Sequence, residues 1–287
     1  MSTVTVLGLG AMGYRMAKKL LEAGHNVTVY NRTGERARAL EAEGATRADS
    51  PREAAARSEF VISMVTDDDA SHAVWLDANT GAIHGLRTGA VAIESSTLTP
   101  AWVHQLADVV TTRGAGLLDA PVVGSRPQAE AGQLIYCIGG AAETLDKARD
   151  TLSAMGAAIH HVGPVGAGIA MKLAVNALFG IQVVVLGEIL GMVRKSGIDV
   201  KQAVEVLGAL LTASPALKAV AGQMVARSYA PLFPIHLVEK DFRYIVESAA
   251  LVKAPVPTSK AVRDVYTRAL REGYGNDNIS GVAQLFD

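Results

Sequence analysis

Three glycines near the start of the chain constrain its fold more than any other feature. Gly8, Gly10 and Gly13 stand between an apolar run at 4–7 and a helix-forming stretch at 12–22. A short β-branched apolar run is typical of a buried parallel strand. A strand, a Gly-x-Gly-x-x-Gly turn and a helix together predict a dinucleotide site, because a pyrophosphate can approach the N–H groups at the helix start. The alternative is a tight turn with close helix packing and no ligand.

The composition is that of a compact protein without a strongly charged partner. The chain has 287 residues, of which 49% are hydrophobic and 19% charged, and its net charge is -1. We therefore expect neither nucleic acid nor an anionic membrane as a partner. Cys137 is the one cysteine, so no internal disulfide and no metal site are expected.

Two features bear on location. The first apolar run lacks a basic leader and ends in the glycine turn, so no signal peptide is expected and the cytoplasm is the default compartment. The most hydrophobic stretch, 167–193, contains Lys172, Asn176, Gln182 and Glu188. These polar residues indicate a buried helix and not a membrane span.

The pattern of strands and helices changes near residue 163. Before it, strand signals at 4–7, 27–30, 60–65, 91–93, 117–119 and 135–138 alternate with helices. This predicts the α/β class, with a Rossmann dinucleotide-binding domain at 1–163. After it, helices are predicted at 167–196, 200–211, 215–227, 237–252 and 259–272. They predict an all-α domain at 164–287, joined by the first long helix.

The long apolar helix also bears on assembly. Such a helix beside a small helical domain would expose much apolar surface in a monomer. We therefore expect a homodimer or homotetramer formed through the helical domain.

The end of the second strand indicates which dinucleotide binds. An acidic residue there usually holds the ribose of NAD, whereas an arginine suits the 2′-phosphate of NADP. Here the strand is followed by Asn31, Arg32 and Thr33. Because Arg32 can pair bidentately with phosphate, we predict that NADP(H) is preferred over NAD(H). The alternative is a solvated Arg32 and poor discrimination.

Lys172 and Asn176 are the most informative polar pair. They lie four residues apart in a strongly apolar helix, so they share one face. An unpartnered ammonium or amide is costly to bury. Lys172 is thus either an active-site lysine or a helix-end lysine that reaches solvent.

Four segments together resemble the β-hydroxyacid dehydrogenase family. Residues 8–17 resemble its cofactor turn, 119–134 its substrate-binding segment, 166–176 its catalytic segment and 240–242 its distal cofactor segment. Ser96 and Thr97 resemble a further signature near the nicotinamide. Within the family, segments 31–33, 124–127 and 224–234 are most similar to the glyoxylate/succinic semialdehyde reductase branch.

The resemblance implies an NADPH-dependent, reversible reduction of a small aldehyde or keto acid. Lys172 would be the general acid and base, with Asn176 orienting it, and such a group contributes about 10²–10⁴-fold to rate. The substrate would meet Thr97, Val123, Gly124 and Ser125. The cofactor would meet the turn, the strand ends and the helical domain: Gly8, Leu9, Gly10, Ala11, Met12, Gly13, Asn31, Arg32, Thr33, Val65, Thr66, Thr97 and Lys240.

One position departs from the family pattern. Val123 stands where a serine usually helps to hold the substrate carboxylate. A valine cannot make that hydrogen bond, so a less polar carbonyl or an imine becomes more plausible. Imine reductase activity is therefore kept as an alternative, although imine reductases usually replace the catalytic lysine. A non-catalytic dinucleotide-binding scaffold is the remaining one, and Lys172 with Asn176 argues against it.

Other polar clusters have simpler interpretations. The run 67–69 of three aspartates is interpreted as charge at a helix N-terminus and not as a cation site. His160 and His161 are interpreted as structural residues near a strand end. His236 is expected just before a helix, in a capping or surface role, with a second catalytic role as the alternative.

Overall fold

The computed structural model describes all 287 residues, which divide into two compact units, Met1–Lys172 and Leu173–Asp287. The first unit contains one sheet of nine strands. They are β1 (Thr3–Leu7), β2 (Asn26–Tyr30), β3 (Thr46–Arg47), β4 (Phe60–Ser63), β5 (Val91–Glu94), β6 (Gly116–Asp119), β7 (Val122–Val123), β8 (Leu134–Gly140) and β9 (Gly156–Gly163).

Strand order identifies a doubly wound sheet. The order is β3-β2-β1-β4-β5-β6-β8-β7, and β9 pairs with β8. The first six strands in this order are all parallel, whereas β8 runs antiparallel to β6 and β7. In such a sheet ligands bind beyond the carboxyl ends of the strands, at the point where the order reverses. That point lies between β1 and β4, directly behind the glycine turn.

Seven helices belong wholly to the first unit. They are α1 (Gly13–Glu22), α2 (Arg38–Ala42), α3 (Pro51–Ala56), α4 (Asp68–Leu76), α5 (Pro100–Thr112), α6 (Arg126–Glu130) and α7 (Ala142–Ser153). Two apolar cores accompany the sheet, one including Val6, Met16 and Ile62 and the other Val61, Trp75 and Leu106. Strands β4 and β5 supply residues to both cores, so their two faces are buried, as is usual for the central strands of a parallel sheet.

The second unit is helical, as the sequence predicts. The long helix α8 (Ala167–Lys195) begins in the first unit and continues into the second. It is followed by α9 (Val200–Ala209), α10 (Pro215–Ala226), α11 (Ile235–Leu251) and α12 (Pro257–Arg271), and by 3-10 segments Tyr274–Asn276 and Ile279–Phe286. Their shared core includes Leu186, Phe242 and Tyr266.

Helix α8 is long and apolar enough to cross a membrane by length and composition alone. Val183, Val184, Leu186 and Leu190 of this helix are buried in the core of the second unit. Their burial fits the core helix of a soluble protein, which passes the same test.

Three strands and some boundaries differ from the prediction. The prediction omitted β3, β7 and β9. The first two have only two residues each, too few to show a period. Strand β9 has no fully buried residue, which explains its weak apolar signal. The strand predicted at 60–65 ends at Ser63.

Candidate functional site

The glycine turn forms a backbone cradle at the carboxyl end of β1. Gly8 has a φ of 96°, and a Cβ there would lie 2.5 Å from the carbonyl oxygen of Met64. A Cβ on Gly13 would lie 2.0 Å from the Gly8 oxygen, so α1 packs closely only with glycine at this position. A Cβ on Gly10 would meet no atom within 4 Å. The open space before Gly10 fits the approach of a pyrophosphate.

Asn31 supports this turn from the neighbouring strand. Its Oδ1 accepts a 2.8 Å hydrogen bond from the N–H of Leu9, and its Nδ2 donates to the carbonyl oxygen of Thr33 at 2.9 Å. Arg32 and Thr33 are exposed next to it, and Arg32 forms no ion pair. The amide of Asn31 thus holds the turn in shape, and Arg32 extends from the same strand end.

The predicted contacts Val65, Thr66 and Thr97 follow the adjacent strands β4 and β5. The N–H of Val65 donates to the Ser96 hydroxyl at 2.8 Å, which joins the two strand ends. Thr66 donates its hydroxyl proton to the Asp67 carboxylate at 3.1 Å. Thr97 is half-buried between the buried residues Ser96 and Leu98.

The predicted substrate-binding segment, 119–134, contains β7 and helix α6. Val123 is half-buried, and Gly124 has a φ of 126°. The backbone N–H of Ser125 donates to the side chain of Gln128 at 2.9 Å, inside helix α6. Arg126 keeps a buried Nε without a hydrogen-bond partner. A buried guanidinium donor is costly unless an acceptor completes it.

Asp119 anchors the start of α8, a role the sequence did not indicate. Its Oδ1 accepts from the N–H of Gly166 at 2.9 Å and its Oδ2 from that of Ile169 at 2.8 Å. A Cβ on Gly168 would lie 2.4 Å from the Asp119 backbone oxygen, so glycine permits this close approach. The cap fixes the first turn of the helix that carries Lys172.

Lys172 itself is half-buried on α8. Burial raises the pKa of the Cys137 thiol, and the Lys172 charge opposes that rise. The Lys172 ammonium is therefore close enough to β8 for its charge to act on Cys137. The Cys137 thiol is buried in β8 and forms no disulfide.

Asn176 and Lys240 meet the same carboxylate in the second unit. Asp241 is 2% exposed, and its Oδ2 accepts a 2.6 Å hydrogen bond from Asn176 Nδ2. Lys240 Nζ lies 3.1 Å from Oδ1 as an ion pair without regular hydrogen-bond geometry. Lys240 also stands 5.0 Å from the ring centre of Tyr244. Asp241, to which the sequence analysis gave no role, therefore connects two predicted site residues. It stands in the charged run 239–241, so the local sequence carries no signal that its side chain is buried.

The remaining polar clusters are structural. Asp67 caps α4 by accepting the N–H of Ala70, so the helix N-terminus interpretation of 67–69 is confirmed. His161 in β9 hydrogen-bonds the Gly140 oxygen at 2.8 Å. The position expected for His236 was wrong, because it lies inside α11, where its Nδ1 is 2.9 Å from the Gly275 oxygen.

The fold and the glycine cradle define the class of dinucleotide-binding Rossmann proteins. Residues 3–163 match the family described as the NAD binding domain of 6-phosphogluconate dehydrogenase. Residues 166–286 match the NAD-binding domain of NADP-dependent 3-hydroxyisobutyrate dehydrogenase. The chain belongs to the β-hydroxyacid dehydrogenase family, and it is an NAD(P)-dependent dehydrogenase or reductase acting on CH–OH groups.

Full-length relatives agree with this assignment. The chain is 32% identical to glyoxylate/succinic semialdehyde reductase 2 of Arabidopsis thaliana, covering 99% of this chain and 80% of the relative. It is 31% identical to the NAD-dependent L-serine dehydrogenase of Pseudomonas aeruginosa, covering 100% and 98%. Among solved structures, a Mycobacterium tuberculosis 3-hydroxyisobutyrate dehydrogenase with L-serine superposes with a TM-score of 0.91 at 26% identity, covering 99% of both chains.

Proposed function

We propose that the protein is an NADPH-dependent reductase of a small aldehyde or keto acid, which can also oxidise the resulting alcohol. The observation that carries this proposal is the half-buried Lys172, one turn beyond the Asp119 cap in a chain of this family. An ammonium in this setting is a suitable proton donor for a carbonyl oxygen.

In the proposed reaction the residues of the chain handle the proton and the substrate. A bound nicotinamide cofactor supplies the hydride and its electron pair. Lys172 donates a proton from Nζ to the carbonyl oxygen, and in the reverse direction it takes the hydroxyl proton back. Asn176, four residues along the same helix, orients that end of the substrate. Thr97 is proposed to contact the nicotinamide ribose or the substrate, and Lys240 the cofactor.

The preference for NADP(H) is supported by charge at the end of β2. Arg32 is exposed and carries no ion pair, while no carboxylate appears before Glu35. A guanidinium can bind the 2′-phosphate through two parallel hydrogen bonds. The matching family model is named for an NADP-dependent enzyme and one relative for an NAD-dependent enzyme, so the names do not decide between the two cofactors. The positive charge of Arg32 is the observation that favours NADP(H).

The substrate pocket is proposed around Val123, Gly124 and Ser125. The relatives act, by name, on small oxygenated acids and their aldehydes. The buried Nε of Arg126 offers an anion-binding group that partly replaces the missing serine hydroxyl. The apolar Val123 favours a less polar carbonyl, and it is the observation that keeps imine reduction as a second candidate.

We further propose a soluble cytoplasmic homodimer or homotetramer, assembled through the helical unit. The apolar face of α8 supports this assembly. The alternative of a non-catalytic scaffold predicts tight NADPH binding without turnover.

The test replaces Lys172 by alanine. NADPH oxidation is followed with a panel of aldehydes, keto acids and cyclic imines. Lys172→Ala should lower kcat by about 10²–10⁴-fold, while the NADPH dissociation constant stays within about twofold, equivalent to less than about 0.5 kcal/mol. Lys201→Ala, an exposed lysine of α9, serves as the matched control. An unchanged kcat would remove Lys172 from the mechanism, and binding without turnover by the parent protein would favour the scaffold.

A further inference from the structure

A buried carboxylate lies at the end of β5, two residues before the predicted nicotinamide signature at Ser96 and Thr97. Glu94 is the last residue of β5 and is 1% exposed. Its Oε1 accepts from the backbone N–H of Ser96 at 3.0 Å. Its Oε2 accepts from the Ser71 hydroxyl at 2.7 Å and from Trp75 Nε1 at 2.9 Å.

Each hydrogen-bond partner of the Glu94 carboxylate acts as a donor to it. Trp102 Nε1 donates to Ser71 at 2.9 Å, so the Ser71 proton points to Glu94. The Ser96 hydroxyl also bonds to Glu94. Burial raises the pKa of Glu94, and these donors oppose the rise.

The network joins two strand ends through one hydroxyl. Ser96 Oγ accepts a 2.8 Å hydrogen bond from the N–H of Val65, and the Ser96 hydroxyl donates a hydrogen bond to Glu94. The segment after β4, with Val65 and Thr66, is thereby tied to the segment after β5, with Thr97. Because Glu94 is held by two residues of α4, this connection rests on the body of the first unit.

We propose that Glu94 is a positioning residue that holds segments 65–66 and 96–97 in the conformation that receives the cofactor. The inference rests on the proposed function, since Thr97 is there assigned to the cofactor or the substrate, and the family resemblance assigns Val65 and Thr66 to the cofactor. Glu94 touches neither, and it acts through Ser96. The two oxygens of Glu94 have different partners. Oε1 accepts from the predicted binding segment at Ser96, whereas Oε2 accepts from Ser71 and Trp75 of α4. A variant on the α4 side can therefore separate an effect on stability from an effect on binding.

Glu94→Gln tests this assignment with almost no change in shape. Trp75 Nε1 and the Ser96 N–H can only donate, and they bond to different oxygens of Glu94. The glutamine NH₂ must replace one of these oxygens, so in either orientation of the amide one of the two donors loses its acceptor. The matched control is Trp75→Phe, which loses a donor and packing on the Oε2 side but keeps the Ser96 contacts. Trp75 is fully buried, so this control is also destabilised.

Two measurements are made on the full chain. Amide hydrogen exchange of the ligand-free protein should rise at least about tenfold at Val65 and Ser96 in Glu94→Gln, but not in Trp75→Phe. The NADPH dissociation constant, measured by calorimetry, should rise about tenfold in Glu94→Gln. At saturating NADPH, kcat should stay within about threefold of the parent, equivalent to less than about 0.7 kcal/mol.

Each other result has a definite meaning. Equal exchange and equal NADPH affinity in both variants would overturn the positioning role and leave the proposed reductase intact. Protection lost alike in Trp75→Phe and Glu94→Gln would reduce Glu94 to a stability residue and also overturn the inference. If the parent protein binds no NADPH, the proposed function fails, and the exchange measurement still decides whether Glu94 holds the two segments.

Discussion

Arg32 is one exposed side chain on which cofactor choice is proposed to depend. It follows β2 and forms no ion pair. A charge-assisted hydrogen bond contributes about 1.5–3 kcal/mol. We therefore expect Arg32→Ala to lower kcat/KM with NADPH about 10–100-fold, with little change for NADH. Initial rates with both cofactors measure this, and Arg113→Ala, an exposed arginine at the end of α5, is the control. Equal losses with both cofactors would contradict a 2′-phosphate contact.

Val123 is the residue on which substrate polarity is proposed to depend. Val123→Ser supplies a hydroxyl to a carboxylate substrate, and a hydrogen bond to a charged group is worth about 1.5–3 kcal/mol. Activity on glyoxylate or succinic semialdehyde should rise about tenfold, seen mainly in KM. Val123→Ala removes both methyl groups without adding a hydroxyl and should not show the gain. A rise in both variants would mean that bulk, not polarity, restricts the pocket.

The element on which the proposed chemistry depends most is the first turn of α8. Asp119 accepts two of its otherwise unpaired N–H groups. Loss of such a cap costs about 1–2 kcal/mol. Asp119→Ala should lower the free energy of unfolding by about that amount, and it should lower kcat more than NADPH affinity because the turn before Lys172 loosens. Urea unfolding and steady-state kinetics measure the two effects, and full kcat in a destabilised variant would limit Asp119 to a structural role.

The same carboxyl group gives stability a defined pH dependence. Burial raises the pKa of Asp119, with the N–H donors opposing. The folded chain therefore binds this proton at a higher pH than the unfolded chain. The contribution is fully present below the unfolded pKa of about 3.9 and is lost as the pH rises through the raised folded pKa. The stability advantage of the parent over Asp119→Asn should thus be larger at acidic pH than at neutral pH, measured by urea unfolding. An advantage that grows with pH would contradict the raised pKa.

Elements with a strong local period could be predicted from the sequence, and those defined by pairing could not. A sequence signal within a few residues marks the glycine turn, the apolar strands β1, β2, β4, β5 and β6, and helix α8. Strands β7 and β9 exist because β8 lies between them, and their short or exposed sequences show no period. The site divides in the same way. Lys172 and Asn176 stand out as polar residues in an apolar helix, whereas the partners Glu94 and Asp241 become visible only when distant segments meet.

At the scale of the whole molecule, the second unit leaves an apolar face of α8 uncovered. Leu178, Val185 and Met192 are spaced by seven residues, so they lie on one side of the helix. Leu178 is 64% exposed and Met192 62%. The opposite side supplies Val183, Val184 and Leu190 to the core. Helix α8 is thus apolar on two opposite sides, and the second unit buries only one of them.

This uncovered face predicts self-association. A contiguous apolar surface on a soluble protein usually marks an interface, and two-fold dimers are the commonest assembly. We expect the parent protein to sediment with at least twice the monomer mass of 30.0 kDa. The double variant Leu178→Glu with Met192→Glu should sediment as a monomer, because each buried carboxylate would lose its hydration without a partner. Circular dichroism checks that its helices remain.

A matched variant separates this face from general surface apolarity. Leu251 is 70% exposed at the end of α11 and lies outside the Leu178, Val185 and Met192 face. Leu251→Glu removes a comparable exposed side chain and should leave the sedimenting mass unchanged. A parent protein that is monomeric at micromolar concentration would contradict the prediction. So would a double variant that keeps the parent's mass, because the subunits would then associate through a surface that excludes this side of α8.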